Sequence, residues 1–215
     1  MKKEVIKRIF EFLAKKEQQN PPFIWKINNN IPFTKEELNV KGDLDLQDSS
    51  IESLPKGLKV GGYLDLAYTF IEYLPEGLEV GGNLDLDGCR EITSLPERLK
   101  VGGYLSLRDT NITSLPEGLE VGGSLYLIGS KIKSLLEGLK VGGWLDLSDS
   151  DIEFLPKGLK VDGNLNLEHT NITSLPKGLE VGGLMRIGYT PLKKYTDEQI
   201  KEMVKPGFIK GKIVR

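Results

Sequence analysis

The chain has one cysteine, one histidine and no excess of charge of either sign, and each shortage closes off a class of function. A lone Cys89 permits no intramolecular disulfide framework and no cysteine-based zinc site. A lone His169 has no second histidine or cysteine with which to share a metal. The 215 residues include 29 Lys or Arg and 31 Asp or Glu, a net charge of −2. That balance gives no broad pull toward nucleic acid or an anionic membrane. No apolar run approaches the roughly 18 residues that suggest a membrane span. The basic N-terminus is followed by Lys7, Arg8 and Glu11, so residues 3–17 read as an amphipathic helix and not as a signal peptide. There is no Walker motif, no dinucleotide fingerprint and no Gly-x-Ser-x-Gly elbow. Together these absences imply a soluble, cytoplasmic protein that is not an enzyme. It is expected to need no cofactor or metal and to have no nucleic-acid or membrane partner.

What the chain has is repetition. A unit of about 20 residues recurs eight times. One turn reads Leu54, Pro55, Gly57, Leu58, Val60, Gly61, Gly62, Leu64, Leu66, Thr69 and Ile71. Later turns start at Leu74, Leu95, Leu115, Leu135, Leu155 and Leu175, and a degenerate first turn runs from about Thr34. So short a unit cannot bury its apolar face alone, so successive units must stack as coils of a solenoid. Within a coil, Leu64-Asp65-Leu66 and Leu58-Lys59-Val60 alternate with period two. Both read as short strands with one buried face. Stacked turns then form two parallel sheets at about 4.8 Å per step, and eight turns make a rod on the order of 40 Å long.

Comparing turns sorts the remaining positions. The second glycine of the pair is present in every turn, from Gly42 to Gly183. It is expected at positive φ or where backbone packs on backbone. The first is replaced by Lys41 and Asp162 and so reads as less constrained. The glycine after Leu-Pro becomes Arg98 once, which argues against a strained angle there. Leu136 replaces one corner proline. A hydroxyl column reads Ser50, Thr69, Cys89, Thr110, Ser130, Ser150, Thr170, Thr190 and is expected to satisfy turn backbone. A flat ice-binding array is the alternative, but Cys89 and the serines break the rank. One extra residue near Arg90-Glu91 should bulge outward.

Written as Gly61-x-x-Leu64-x-Leu66-x-x-Thr69-x-Ile71-x-x-Leu74-Pro75, the unit resembles a leucine-rich repeat of the short bacterial kind, over about residues 34–192. It departs from that pattern in two places. Glycine stands for the first leucine, and Thr, Ser or Cys for the asparagine. The Val-Gly-Gly-x-Leu-x-Leu variant is also similar to repeat proteins of bacteria and their phages. The resemblance implies protein–protein recognition through the strand face and carries over no catalytic residue.

The fold expected is mainly β: a right-handed, leucine-rich-repeat-like β-solenoid of about eight turns with short helical caps at both ends. Residues 1–33 would form an N-terminal helical cap, 34–192 the solenoid and 193–215 a C-terminal helix–strand cap. Solenoids need such caps because an open sheet edge invites aggregation, and the ends offer a route to a homodimer. Thr196 and Gln199 have capping-box spacing for the last helix.

The outward side of the Leu-x-Leu strand varies most between turns. Asp43, Asp45, Asp65, Asp85 and Asp87 form an acidic patch, and Tyr63, Tyr104, Tyr126, Ile128 and Trp144 an aromatic strip. Stacked like charges repel, and a basic partner or a cation would relieve them. Exposed tyrosine and tryptophan beside charge match a protein interface. The partner-binding residues expected are Tyr63, Asp65, Asp85, Tyr104, Tyr126, Trp144 and Asp146. Two alternatives use the same face: a calcium site in the acidic patch, and a carbohydrate-binding or polysaccharide-acting solenoid using paired carboxylates. The Leu-x-Val strand carries Lys59, Glu79, Lys100, Glu120, Lys140, Lys160 and Glu180, whose mostly alternating signs would help set register.

Overall fold

A computed structural model of the protein describes residues 23–215. The helix expected over residues 3–17 lies outside the described residues. Each short alternating segment forms a two-residue strand that pairs with its copy in the next turn. The Leu-x-Val strands are β1 (Asn39–Val40), β3 (Lys59–Val60), β5 (Glu79–Val80), β7 (Lys100–Val101), β9 (Glu120–Val121), β11 (Lys140–Val141), β13 (Lys160–Val161) and β15 (Glu180–Val181). The Leu-x-Leu strands are β2 (Leu44–Asp45), β4 (Leu64–Asp65), β6 (Leu84–Asp85), β8 (Leu105–Ser106), β10 (Leu125–Tyr126), β12 (Leu145–Asp146), β14 (Leu165–Asn166) and β16 (Met185–Arg186). Every pairing is parallel and joins equivalent residues, as in Leu64↔Leu84 and Asp65↔Asp85. The molecule is thus a mainly β, parallel-strand solenoid, with about seven complete turns between the first and eighth Leu-x-Leu strands.

The core runs the length of the axis. Leu58, Leu64, Leu66 and Ile71 of one turn are fully buried, as are their counterparts along most of the rod. Each contributes about 1.5–3 kcal/mol before conformational entropy is subtracted. The third side of each turn, Ile71 to Leu74 and its copies, is extended but barely paired. Its one bridge among the described residues is Ser53↔Tyr73.

Pitch is set at the glycine pair. A Cβ on Gly123 would sit 2.8 Å from the carbonyl carbon of Gly103 in the turn below, and 2.9 Å from its oxygen. None of these second glycines has a positive φ, so close approach of backbones is the reason for the residue. The first glycine is as tightly held, contrary to the sequence expectation: a Cβ on Gly122 would lie 2.3 Å from the Gly102 oxygen. Lys41 belongs to the first described turn, and its neighbour Gly42 has nothing within 4 Å of its Cβ position among the described residues. The structure gives no physical account of Asp162.

Three other expectations are corrected. The glycine after Leu-Pro does take a left-handed backbone, with φ of 82° at Gly57 and 71° at Gly158, and Arg98 is forced into it at 57°. The hydroxyl column begins at Ser49, not Ser50: Ser49 Oγ donates to the Leu46 carbonyl at 2.6 Å, as Thr69 does to Leu66 at 2.7 Å. Thr69, Thr110, Thr170 and Thr190 are buried, so no hydroxyl array faces solvent there. The Leu-x-Val sheet is not continuous. It runs β1-β3-β5-β7-β9, stops, and resumes with β11. Leu136, in place of the corner proline, lies at this seam. A groove of about 600 Å³ opens beside it, and Leu119 is left half-exposed where Leu99 and Leu159 are buried. Cross-turn pairs Lys59–Glu79 (2.7 Å), Lys100–Glu120 (3.1 Å) and Lys160–Glu180 (2.7 Å) form as the sequence suggests. The seam falls between the second and third of these, and just past it Lys140 lies against Lys160.

The ends are closed by local structure. At the N-terminal end, α1 (Phe23–Asn28) packs Phe23, Ile24 and Ile27 on the core. At the other end, α2 (Asp197–Val204) begins at a capping box of Thr196 and Gln199 and buries Ile200 and Val204. The strands β17 (Phe208–Ile209) and β18 (Ile213–Val214) then pair with β15 and β16, continuing both sheets by one step.

Gly123→Ala should cost about 1–3 kcal/mol in denaturant unfolding, because rigid backbone must move. Gly42→Ala should stay within about 0.5 kcal/mol. Arg98→Gly should raise stability by roughly 0.5–1 kcal/mol by relieving the left-handed backbone; a loss in the same measurement would contradict the strain assigned to Arg98.

Candidate interaction surface

The Leu-x-Leu sheet runs unbroken through nine strands, β2 to β18, and its outward positions carry every partner-binding residue expected from sequence. The parallel ladder fixes these side chains at about 4.8 Å intervals along the rod.

The column before each strand has a two-turn rhythm. Asp43 accepts a hydrogen bond from the Tyr63 N–H at 2.7 Å. Asn83 accepts from Tyr104 at 2.9 Å, Ser124 from Trp144 at 3.0 Å, and Asn164 from Leu184 at 2.9 Å. Small oxygen-bearing residues therefore occupy alternate turns and hold the backbone of the large residue above. That is why Tyr63, Tyr104 and Trp144 recur on alternate coils.

The column within the strand holds the aspartates, and their first role is local. Asp45, Asp65, Asp85 and Asp146 each accept, through Oδ1, the N–H of the residue two places on, at 2.9–3.0 Å. Asn166 does the same for Glu168 at 3.1 Å. An amide oxygen thus suffices for the turn, and the negative charge is additional. Asp65 is only 9% exposed, beneath the Tyr63 hydroxyl, which donates to it at 2.9 Å. That hydroxyl also lies 3.3 Å from Asp85. Asp85 and Asp146 are half-buried, while Asp43 and Asp45 are exposed.

The aromatic residues form a chain. The rings of Tyr63 and Tyr104 are 6.2 Å apart and tilted by 56°, and those of Tyr104 and Tyr126 are 5.9 Å apart at 69°. Arg108, which the sequence reading missed, lies over Tyr126 at 4.8 Å and reaches toward Asp87 at 3.9 Å. Asp87 in turn accepts from the Ser106 hydroxyl. Trp144 stands off this chain, 52% exposed. Burial raises the Asp85 carboxyl above its ordinary range, and neighbouring Asp87 and Asp65 add to the rise against a bond from the Asp87 N–H. Burial likewise pushes the Tyr63 and Tyr104 hydroxyls upward.

Other candidates are used structurally. Cys89 is buried, its thiol is pushed up by burial, and its sulfur lies 2.9 Å from the Leu66 carbonyl. His169 stacks on Tyr189 at 4.4 Å. Among the described residues no three of His, Cys, Asp and Glu come together so as to hold a metal ion, and the acidic patch is no exception. No helix among them is long and apolar enough to cross a membrane. The sequence reading also passed over a second aromatic group, Tyr68, Phe70 and Tyr73, all more than half exposed at the corner and third side of one turn.

No protein-family model matches the chain, and no curated protein matches it either.

Asp146→Asn should leave stability within about 0.5 kcal/mol, because Asn166 performs the same bond, whereas Asp146→Ala should cost about 1 kcal/mol in urea unfolding. Asp85 has a folded-state carboxyl raised above its unfolded value. It therefore adds stability below the unfolded value, and that stability is lost as pH rises through the folded one. Asp85→Asn should then be more stable than wild type at neutral pH, with the gap closing as pH falls into the ordinary carboxylate range. A gap independent of pH would contradict the raised carboxyl.

Proposed function

We propose that the protein is a leucine-rich-repeat-type binding scaffold that docks a protein partner on its Leu-x-Leu face. The observation that carries this reading is the ring chain Tyr63–Tyr104–Tyr126, joined by Arg108 and flanked by an exposed Trp144, on a sheet whose backbone is fully laddered. Tyrosine, tryptophan and arginine are the side chains that dominate interface energetics. Holding them on a rigid ladder lowers the entropy lost on binding. Tyr104, Tyr126 and Trp144 are the anchors. Asp85 and Asp146 contribute charge, and Asp65 works from below by fixing the Tyr63 hydroxyl. Catalysis forms no part of this reading. A sugar platform fits less well, because the tyrosine planes are tilted against one another by 56° and 69° and offer no common plane for stacked pyranose rings.

The test is affinity capture from lysate of the producing cell, wild type beside Trp144→Ala and Tyr104→Ala, with bound proteins identified by mass spectrometry. A specific protein lost in both variants supports docking on this face. The Trp144 variant should unfold within about 0.5 kcal/mol of wild type, since its side chain is largely in solvent. A protein retained by both variants but lost when Tyr68 and Tyr73 are changed to alanine would move the site to the second aromatic group.

A further inference from the structure

We infer that the partner presents a cationic, arginine-bearing segment to the Leu-x-Leu face, with guanidinium groups stacked on the tyrosine chain and paired to its aspartates. This rests on the docking reading of the same face and adds the chemistry of what docks.

The first support is charge placement. The three outward positions of the strand region, repeated over eight turns, hold seven carboxylates and two guanidiniums, a net charge of −5 against −2 for the whole chain. Residues 23–215 hold 23 Lys or Arg and 28 Asp or Glu, also a net −5, so the rest of the described rod is neutral and its net negative charge lies on this one side. Stacked coils bring these groups within about 4.8 Å of one another, where like charges repel.

The second is that the fold does not need this charge. Asn166 closes its turn as the aspartates close theirs. Asn83 and Asn164 hold the next coil as Asp43 does. Asparagine would supply the same oxygen at every one of these positions without repulsion. The carboxylates are surplus to architecture, and a cationic partner removes their mutual cost.

The third is that one of the two guanidiniums on the face is already stacked on its tyrosine chain. Arg108 lies over Tyr126, its Cζ 4.8 Å from the ring centre, with Asp87 at 3.9 Å, and its Nε is enclosed without a hydrogen-bond partner. A planar cation stacked on an aromatic ring beside a carboxylate is the arrangement that favours arginine over lysine. Tyr63, whose hydroxyl meets Asp65 and Asp85, and the Tyr104 ring packed on it again set rings beside carboxylates, and Trp144 and Asp146 share one strand region, with no cation stacked on any of these three rings among the described residues.

The experiment is fluorescence anisotropy with labelled nona-arginine and nona-lysine peptides at about 0.15 M ionic strength. Wild type should bind nona-arginine at least about fivefold tighter than nona-lysine, the size of one or two exposed cation–π contacts. The variant Asp85→Asn/Asp87→Asn/Asp146→Asn, which keeps each side-chain oxygen, should bind nona-arginine at least about tenfold more weakly with a melting temperature no lower than that of wild type. Tyr104→Ala with Trp144→Ala should abolish the preference for arginine. A control of equal charge change on the other sheet, Glu79→Gln/Glu120→Gln/Glu180→Gln, should alter binding less than about twofold. Equal affinity for the two peptides, or an equal loss in the control, overturns the inference. So does binding of cellohexaose, or self-association of the chain, through the same residues in place of peptide binding. If neither peptide binds while lysate capture still depends on Trp144, the docking reading stands and the cationic partner falls.

Discussion

Everything in this molecule depends on how closely one backbone can lie on another at the glycine pair. At Gly122 and Gly123 a single methyl group would meet the backbone of the turn beneath at 2.3 and 2.8 Å. That contact fixes the step between coils, and the step sets everything outside it. It places leucine over leucine in the core, lysine over glutamate on one sheet, and tyrosine near tyrosine on the other. The left-handed residue after Leu-Pro and the buried hydroxyl bonded three residues back shape each coil, but they do not set the spacing between coils. Position along the rod is therefore nearly free of local choice, and variation is pushed to outward side chains.

The architecture was legible because periodicity is a strong signal. The alternation in Leu64-Asp65-Leu66 and Leu58-Lys59-Val60 led directly to both sheets, and the Thr196/Gln199 spacing to the last capping box. What could not be read were features that substitution misrepresents. Arg98 suggested an unstrained position, yet the strain is there and Arg98 bears it. Lys41 suggested a loosely held glycine, but it stands in the first described coil, with no described turn below it. Ser49 and Ser50 are adjacent hydroxyls in a degenerate turn, and the offsets that place Thr69 three residues after Leu66 and two before Ile71 select Ser49, a signal the expectation of Ser50 overlooked. The seam between β9 and β11 has one visible mark, Leu136, whose effect on the ladder beside it is a matter of packing.

The surface was legible in composition and opaque in role. The aromatic and acidic columns were evident, and the rings do come together. Asp65 gave no sign in the sequence of lying buried under Tyr63. The turn-closing bonds of Asp85 and Asp146 were equally hidden, because they depend on a backbone N–H two residues on being aimed at the aspartate side chain. A net charge of −2 also concealed how unevenly that charge is spread. Arg108 went unnoticed because its meaning lies in contacts from the neighbouring turns, with Tyr126 on one side and Asp87 on the other. Outward columns on a solenoid thus have two jobs at once, bonding to the adjacent coil and facing what lies beyond it. Comparing aspartate with asparagine at equivalent positions separates the two.

The most direct test of the account is site-specific photo-crosslinking in living cells. A benzophenone amino acid would replace Trp144 on the Leu-x-Leu face, and in a parallel strain Glu120 on the opposite sheet. The account predicts a discrete protein adduct from position 144 and none from position 120. An adduct from position 120 alone would contradict it, since the working face would then be the one assigned here to holding the coils together.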